Sequence, residues 1–205
     1  MGNTTQKPTE ILGLPTNNTQ GTEKEKTNLV QGKYNSISTN YLVSSDITKI
    51  GSYGQVYIVI DHASTVVIGH VYSCEPLNAE TIIQANLKIQ KETAFLPPIR
   101  IWHTDRESLF TNHEYKEAML QNHISVSRGS AVSFQNQVIE SFNRTFKIAL
   151  KRKIAVQVLF KTGLTIERKG NLPFLQGQRT FDQIELFVKQ AIQEYNNSPP
   201  PFGWA

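Results

Sequence analysis

The order in which strand-like and helix-like segments follow one another constrains the fold of this chain most. Three β-branched, largely apolar segments come first with short links between them, which predicts an antiparallel meander. They are Tyr41–Ile50, Val56–Ile60 and Thr65–Tyr72, with a turn at Gly51–Gly54. Strands and helices then alternate: Asn78 caps a helix that runs to about Glu92, Ile99–Trp102 is a fourth strand, Asn112 caps a second helix through Gln121, Ile124–Ser127 is a fifth strand, and a long helix spans about Gln135–Ile154. This order predicts an α/β fold, a mixed sheet flanked by helices.

Residues 1–40 have a different composition from the segment that follows. Nineteen of these forty residues are Asn, Gln, Ser or Thr, so they cannot bury enough apolar surface to offset the entropy of ordering. We expect a disordered polar leader. It could act as a linker or as a tether to DNA, and its composition favours the linker.

Charge and cysteine content exclude several classes of protein. The net charge is +4, which permits a polyanionic partner without requiring one. A single Cys excludes an intrachain disulfide framework and a multi-cysteine zinc site. The chain has no phosphate-binding loop, no signal-peptide pattern and no apolar run of membrane-spanning length. We therefore expect an intracellular protein with no small-molecule cofactor and no membrane association.

Three acids from distant segments are the candidate metal ligands. Asp46 lies in the first strand, Asp105 directly follows the fourth, and Glu140 lies in the first turns of the long helix. Carboxylates in largely apolar segments are costly unless something compensates their charge, and a divalent metal ion is one such compensation. Taken alone, three scattered acids are more often ordinary strand-end and helix-surface residues.

The long helix carries a second pattern on one of its faces. Glu140, Arg144, Lys147 and Lys151 follow one another at spacings of four, three and four, so they share that face. An apolar face is predicted elsewhere on the helix, at Val138, Phe142, Phe146, Ala149 and Leu150. A carboxylate followed by three cations suits phosphates that flank a metal site.

Three short motifs agree in order and spacing with a known family. They are Ser45-Asp46-Ile47-Thr48, His103-Thr104-Asp105-Arg106-Glu107-Ser108, and Asn136-Gln137-Val138-Ile139-Glu140-Ser141-Phe142, with 35 positions between the last two acids. Together they resemble the catalytic core of retroviral integrases and of the integrase-like DDE transposases of bacterial insertion sequences. The resemblance covers about residues 41–154. It implies an RNase H-like fold with a mixed five-stranded sheet.

The resemblance also implies an activity and roles for individual residues. It implies cleavage and strand transfer of DNA ends, as in DNA integration and recombination by mobile elements, with two Mg²⁺ or Mn²⁺ ions. Asp46 and Asp105 would share one ion, and Asp46 and Glu140 the other. DNA-binding positions would be Ser108, Gln135, Asn136, Arg144, Lys147 and Lys151. Paired DNA ends also imply a homodimer or a higher oligomer.

Some positions depart from the family pattern or leave alternatives open. Asp61 is a rival to Asp46 for the first acid, although its Asp-x-x-Ser context resembles a stretch that does not bind metal in the family. Glu107 stands where a glycine is usual. Residues 155–205 form a divergent extension, in which an amphipathic helix at Phe181–Asn197 resembles the Tyr-Asn helix that follows transposase cores. These departures favour an alternative function, a catalytically degraded nucleic-acid-binding module; an RNase H-like nuclease is a weaker third hypothesis.

Overall fold

The computed structural model describes residues 38–105, 107–128, 137–162 and 179–198. Its five strands are β1 (Leu42–Lys49), β2 (Gln55–Asp61), β3 (Val67–Ser73), β4 (Ile101–Thr104) and β5 (Ser125–Arg128). Its helices are α1 (Ala79–Glu92), α2 (Ser108–Thr111), α3 (His113–Gln121), α4 (Gln137–Thr162) and α5 (Arg179–Asn197). A single 3₁₀ turn at Gly51–Tyr53 joins β1 to β2.

The strands form one mixed sheet in the order β3-β2-β1-β4-β5. The β1–β2 and β2–β3 pairs are antiparallel, which confirms the predicted meander. The β1–β4 and β4–β5 pairs are parallel, because a helix-containing crossover returns the chain each time to the same end of the sheet. The predicted mixed five-stranded sheet with flanking helices is therefore confirmed.

Strand β2 packs against helices on both of its faces, which explains why its sequence is almost continuously apolar. Tyr57 and Val59 belong to the core between the sheet and helices α1 and α3. Val56, Ile58 and Ile60 belong to the core beneath α4 and α5. Alternate residues of one strand thus join two hydrophobic cores.

Helix α4 packs through the apolar face that its sequence predicts. Phe142, Phe146 and Leu150 are buried, and Phe142 stacks on Phe146 with ring centroids 5.3 Å apart. The helix is longer than predicted: it continues past Ile154 to Thr162. Helix α5 packs against α4 and β3 and contributes Ile184, Val188 and Ala191 to the same core.

Strand β4 begins two residues later than its sequence predicts. The backbone N–H groups of Arg100 and Ile101 both donate to the carbonyl oxygen of Tyr41, at 3.0 and 3.1 Å, so the regular ladder starts only at Ile101. The strand therefore extends to Thr104, directly before Asp105. The short helix α2 was not predicted, because four residues are too few for a periodic signal.

A glycine lets helix α1 pack close to the edge strand β3. A Cβ atom at Gly69 would lie 2.2 Å from Cδ1 of Ile89. A larger residue at this position would force the Ile89 side chain out of its present packing.

Several predicted segments lie wholly or partly outside the described residues. They include residues 1–37 of the polar leader and residues 163–178 of the extension. The last residue of the leader, Asn40, is described and buried, and its side chain donates to the carbonyl oxygen of Pro97 at 2.6 Å. Among the described helices, none combines the length and the apolar composition needed to cross a membrane.

Candidate active site

Asp46 and Asp105 lie side by side at one edge of the sheet. The parallel ladder between β1 and β4 ends with Ser45 opposite Thr104, so Asp46 and Asp105 are the next residues on the two strands. Asp105 follows the carboxyl end of β4, whereas β1 continues past Asp46 to Lys49 in its pairing with β2. Two acids 59 positions apart in the sequence are thus neighbours because of strand register.

Asp46 lies on the face of the sheet that carries helix α4. It pairs across the β1–β2 ladder with Ile58, which belongs to the core beneath α4 and α5. Its Oδ2 atom accepts a hydrogen bond of 2.6 Å from Nδ2 of Asn143 on α4. The neighbouring Ser45 faces the other side, where its Oγ accepts from Nε1 of Trp102 at 3.0 Å. The side-chain alternation of β1 therefore directs Asp46 toward α4.

Burial and a neighbouring acid make ionisation of Asp105 harder. Burial raises the pKa of this carboxyl, and the charge of Asp46 raises it further, while the backbone N–H of Glu107 partly offsets both effects. That N–H donates to Oδ1 of Asp105 at 2.9 Å. A positive ion between the two aspartates would relieve their repulsion.

Glu107 shares the electrostatic environment of the two aspartates. Its pKa is raised by burial and by the charges of Asp105 and Asp46, and the charge of Lys49 lowers it. The position that departs from the family pattern thus adds a third negative charge to this edge of the sheet. The sequence did not reveal how close that charge would lie to both acids.

Glu140 lies in the first turn of α4 and its side chain is exposed. Asn143 follows one turn later and contacts Asp46, so Glu140 is on the helix face directed at the acid pair. In the part of the chain that the structure describes, no three His, Cys, Asp or Glu side chains come close enough together to hold a metal ion. The structure thus brings Asp46 and Asp105 together and places Glu140 on α4, one turn before the residue that contacts Asp46.

The three cations predicted to share a face of α4 are exposed. Arg144, Lys147 and Lys151 follow Glu140 along the helix, and within the described residues none of them forms an ion pair. Lys153, which lies off this stripe, forms an ion pair with Glu194 on α5. The three cations without an ion pair and the ion-paired Lys153 therefore lie on different sides of α4.

The other predicted DNA-binding residues precede α4 in sequence. Ser108 is exposed and begins helix α2, three residues after Asp105. Gln135 and Asn136 lie outside the described residues.

Asp61, the rival to Asp46, occupies a different environment. It is fully buried, and its carboxylate accepts hydrogen bonds from the backbone N–H of Asn40 at 2.8 Å and from the N–H and Oγ of Ser64 at 2.8 and 2.6 Å. The Ser64 donors close the turn between β2 and β3, and the Asn40 donor ties the segment before β1 to that turn. Its role in the structure is to hold that turn.

Buried polar residues support the strands just behind the acids. His103, two residues before Asp105, is buried, and its Nδ1 lies 3.1 Å from Oγ of Ser127 on β5. Ser44, two residues before Asp46, is buried and hydrogen-bonded to Nε2 of His62. These contacts cross the sheet and fix β1 and β4 where the acid pair begins.

Comparison with known proteins was made at the level of sequence and of structure. No family model matches the chain, and no curated protein matches it. Among solved structures, the catalytic core domain of BIV integrase superposes with a TM-score of 0.52 at 16% identity, covering 80% of this chain and 88% of that one. The chain has the fold of a retroviral integrase catalytic core.

Two further structures share this integrase-core fold. The HTLV-2 integrase catalytic core domain in complex with magnesium gives a TM-score of 0.51 at 18% identity, with coverage of 80% of this chain and 92% of that one. The simian T-cell lymphotropic virus intasome, in complex with PP2A regulatory subunit B56 gamma, gives 0.56 at 14% identity, with coverage of 85% and 55%. At these identities, the comparison establishes the fold.

The donor atoms at the acid pair suit a hard divalent cation. Asp46 and Asp105 offer carboxylate oxygens, which are the ligands that Mg²⁺ and Mn²⁺ prefer. Beside Asp46, the Oδ1 atom of Asn143 is buried and has no hydrogen-bond partner among the described residues. A hydrated cation would reduce the repulsion between the two acids, and its bound waters would donate hydrogen bonds to the amide oxygen. The residues present therefore fit such an ion.

Proposed function

We propose that this protein is a metal-dependent polynucleotidyl transferase that cleaves DNA ends and joins them to other DNA. The observation that carries the proposal is the Asp46–Asp105 pair at the point where the parallel β1–β4 ladder ends, with α4 anchored on Asp46 through Asn143. The integrase-core fold supports this assignment. It would place the chain in DNA integration or recombination by a mobile element, within the cell and associated with DNA. Both a retroviral-type integrase and a bacterial transposase are compatible with this role.

The acids would hold two Mg²⁺ or Mn²⁺ ions. Asp46 and Asp105 would bind one ion, and Asp46 and Glu140 the other. When bound, such ions stabilise charge on the transferring phosphate and favour ionisation of the attacking hydroxyl. In the chain itself, Asn143 orients Asp46 and the N–H of Glu107 orients Asp105. One of the similar structures, that of HTLV-2 integrase, is described as a magnesium complex.

The exposed cations of α4 would bind the DNA backbone. Arg144, Lys147 and Lys151 continue along the helix from Glu140, so phosphates flanking the scissile bond would meet them in succession. Ser108, Gln135 and Asn136 would add contacts nearer the reacting phosphate. Phosphate contacts position a duplex without reading its sequence. We also propose a homodimer or higher oligomer, because joining two DNA ends requires two sites.

A strand-transfer assay with Mn²⁺ tests the proposal. The substrate is an oligonucleotide duplex with a labelled end, and the variants are Asp105→Asn and Glu140→Gln. We expect each variant to lose product by about a hundredfold, because each removes a metal ligand. Asp182→Asn on α5 is the matched control, since Asp182 is exposed and lies in the first turn of a different helix. Equal product from wild type and Asp105→Asn would refute the catalytic assignment.

A non-catalytic nucleic-acid-binding module is the second candidate function. Glu107 favours it, because its charge lies beside the acid pair where a phosphate must approach. If this candidate is right, the wild-type chain binds duplex DNA but yields no strand-transfer product. The variant Glu107→Gly would then test whether Glu107 alone prevents catalysis. Recovery of strand-transfer product in that variant would show that the rest of the active site is intact.

A further inference from the structure

Asn143 contacts the candidate site through only one end of its amide group. Its Nδ2 atom donates to Oδ2 of Asp46 at 2.6 Å. A carboxylate can only accept hydrogen bonds, so the NH₂ group must face Asp46 and the position of Oδ1 follows. Because the two amide atoms share one carbon, Oδ1 lies next to the same carboxylate. It is buried and has no hydrogen-bond partner among the described residues.

Packing does not account for this unpaired oxygen. The neighbouring inward positions of α4 are apolar and buried, among them Ile139, Phe142 and Phe146. An apolar residue at position 143 would complete that surface without leaving an unsatisfied acceptor, which is costly to bury. The bond to Asp46 explains the nitrogen end of the side chain. The oxygen end requires a donor that belongs to neither core.

The surroundings restrict what that donor can be. Asp46, Asp105 and Glu107 concentrate negative charge there, so an anionic group would be repelled. A hydrated divalent cation satisfies both conditions, because it carries positive charge and its bound waters are strong hydrogen-bond donors. Mg²⁺ in particular keeps several waters when it binds to proteins.

We propose that Asn143 belongs to the cation site: its nitrogen holds Asp46, and its oxygen accepts a hydrogen bond from the water shell of the bound divalent cation. The inference rests on the proposed function, since it assumes a cation at the acid pair. Asn143 is then a positioning residue whose effect is on metal affinity. Partners of this kind, one layer outside the ligands, commonly change metal affinity by about 10–100-fold.

Direct titration of the full chain with Mn²⁺ tests this role without relying on activity. Free Mn²⁺ is followed by electron paramagnetic resonance, and the Tm of each variant is measured in EDTA. We expect Asn143→Leu to bind Mn²⁺ about tenfold more weakly while its Tm in EDTA is no lower than that of wild type. Thr145→Leu is the matched control, because Thr145 is exposed on the same helix and should leave Mn²⁺ affinity unchanged.

A second variant, Asn143→Asp, should change the Mn²⁺ affinity in the opposite direction. Asn143→Asp places another carboxylate beside Asp46, so repulsion should lower the Tm in EDTA while Mn²⁺ binding becomes tighter. A residue with only a packing role would not tighten binding. If Asn143→Leu does not fold, this variant decides alone: tighter binding supports the inference, and equal or weaker binding overturns it.

The outcomes separate this inference from the function on which it rests. If Asp46→Asn abolishes Mn²⁺ binding but Asn143→Leu stays within twofold of wild type, the role of Asn143 is refuted and the metal site stands. If wild type binds Mn²⁺ no better than Asp46→Asn, the metal site itself fails, and the inference fails with it.

Discussion

Asp46 and Asp61 show how partners decide what a buried or half-buried carboxylate does. Asp61 receives three hydrogen bonds from Asn40 and Ser64, which compensate its charge within the turn. Asp46 receives one from Asn143 and lies next to another acid. The first carboxylate is satisfied by the fold, whereas the second still gains from a cation. A structural acid and a candidate metal ligand differ in this respect.

At the same scale, His62 should make the stability of the protein depend on pH. Burial lowers the pKa of this imidazole from 6.5 to about 4, although the charge of Asp61 acts in the opposite direction. Between these pH values the unfolded chain binds the proton more readily than the folded one, so acidification favours unfolding. We expect the free energy of unfolding to fall by about 2–3 kcal/mol from pH 6.5 to pH 4 on account of this residue.

Urea denaturation across this pH range measures the effect. His62→Gln should lose this part of the pH dependence, because the amide does not titrate. The control is His113→Gln, since the His113 side chain is 91% exposed. If wild type and His62→Gln lose stability in parallel on acidification, His62 is not the group responsible.

At the scale of elements, the end of helix α5 protects the edge of the sheet. The side-chain amide of Asn196 accepts from the backbone N–H of Val67 and donates to its carbonyl oxygen, both at 2.9 Å. The preceding Tyr195 packs edge-to-face on Phe142 of α4, with ring centroids 4.7 Å apart. Asn196 thus satisfies backbone groups at the outer edge of β3 that would otherwise be unpaired, as a neighbouring strand would do.

Replacement of Asn196 should therefore destabilise the protein. We expect Asn196→Ala to lower the free energy of unfolding by about 1–3 kcal/mol, because both backbone groups of Val67 lose their partner. Asn197→Ala is the matched control, since Asn197 is exposed at the next position of the same helix. Urea denaturation measures both variants. A change smaller than about 0.5 kcal/mol, which is typical of surface substitutions, would argue against this role of Asn196.

At the scale of the whole molecule, charge is segregated around helix α4. The chain as a whole carries a net charge of only +4, yet Asp46, Asp105 and Glu107 lie close together and three exposed cations follow Glu140 along the helix. A modest net charge can therefore coexist with a local surface suited to a polyanion. Binding to such a surface should be strongly dependent on salt.

Lys147 and Lys153 allow this to be tested on a single helix. Lys147→Ala should weaken binding of duplex DNA and reduce the slope of log K against log salt by about one, which corresponds to one lost phosphate contact. Lys153→Ala removes the same charge, but Lys153 is paired with Glu194 on α5, so its slope should stay that of wild type. Fluorescence anisotropy at several salt concentrations measures both. If the slope of Lys147→Ala also equals that of wild type, this face of α4 does not bind DNA phosphates.

Local patterns were sufficient to predict the class of fold and most of its elements. The β-branched segments of the meander, the Asn78 and Asn112 helix caps and the apolar face of α4 are all present as predicted. Hydrophobic period and capping chemistry are properties of neighbouring residues, so they can be read from the chain. The boundaries were less accurate, as at β4, where a bond from the backbone of Ile101 to Tyr41 sets the first paired residue.

The sequence by itself thus determined the mixed α/β sheet, the exposed cations of α4 and the identity of the candidate acids. Only the tertiary structure decided which groups meet. It brought Asp105 beside Asp46 and placed the carboxyl group of Glu107 close to both. It also hydrogen-bonded Asn143 to Asp46, 97 positions away in sequence, and Asn196 to Val67, 129 positions away. The physical reason is that periodicity records which face of an element is buried, whereas register and helix packing decide what that face touches.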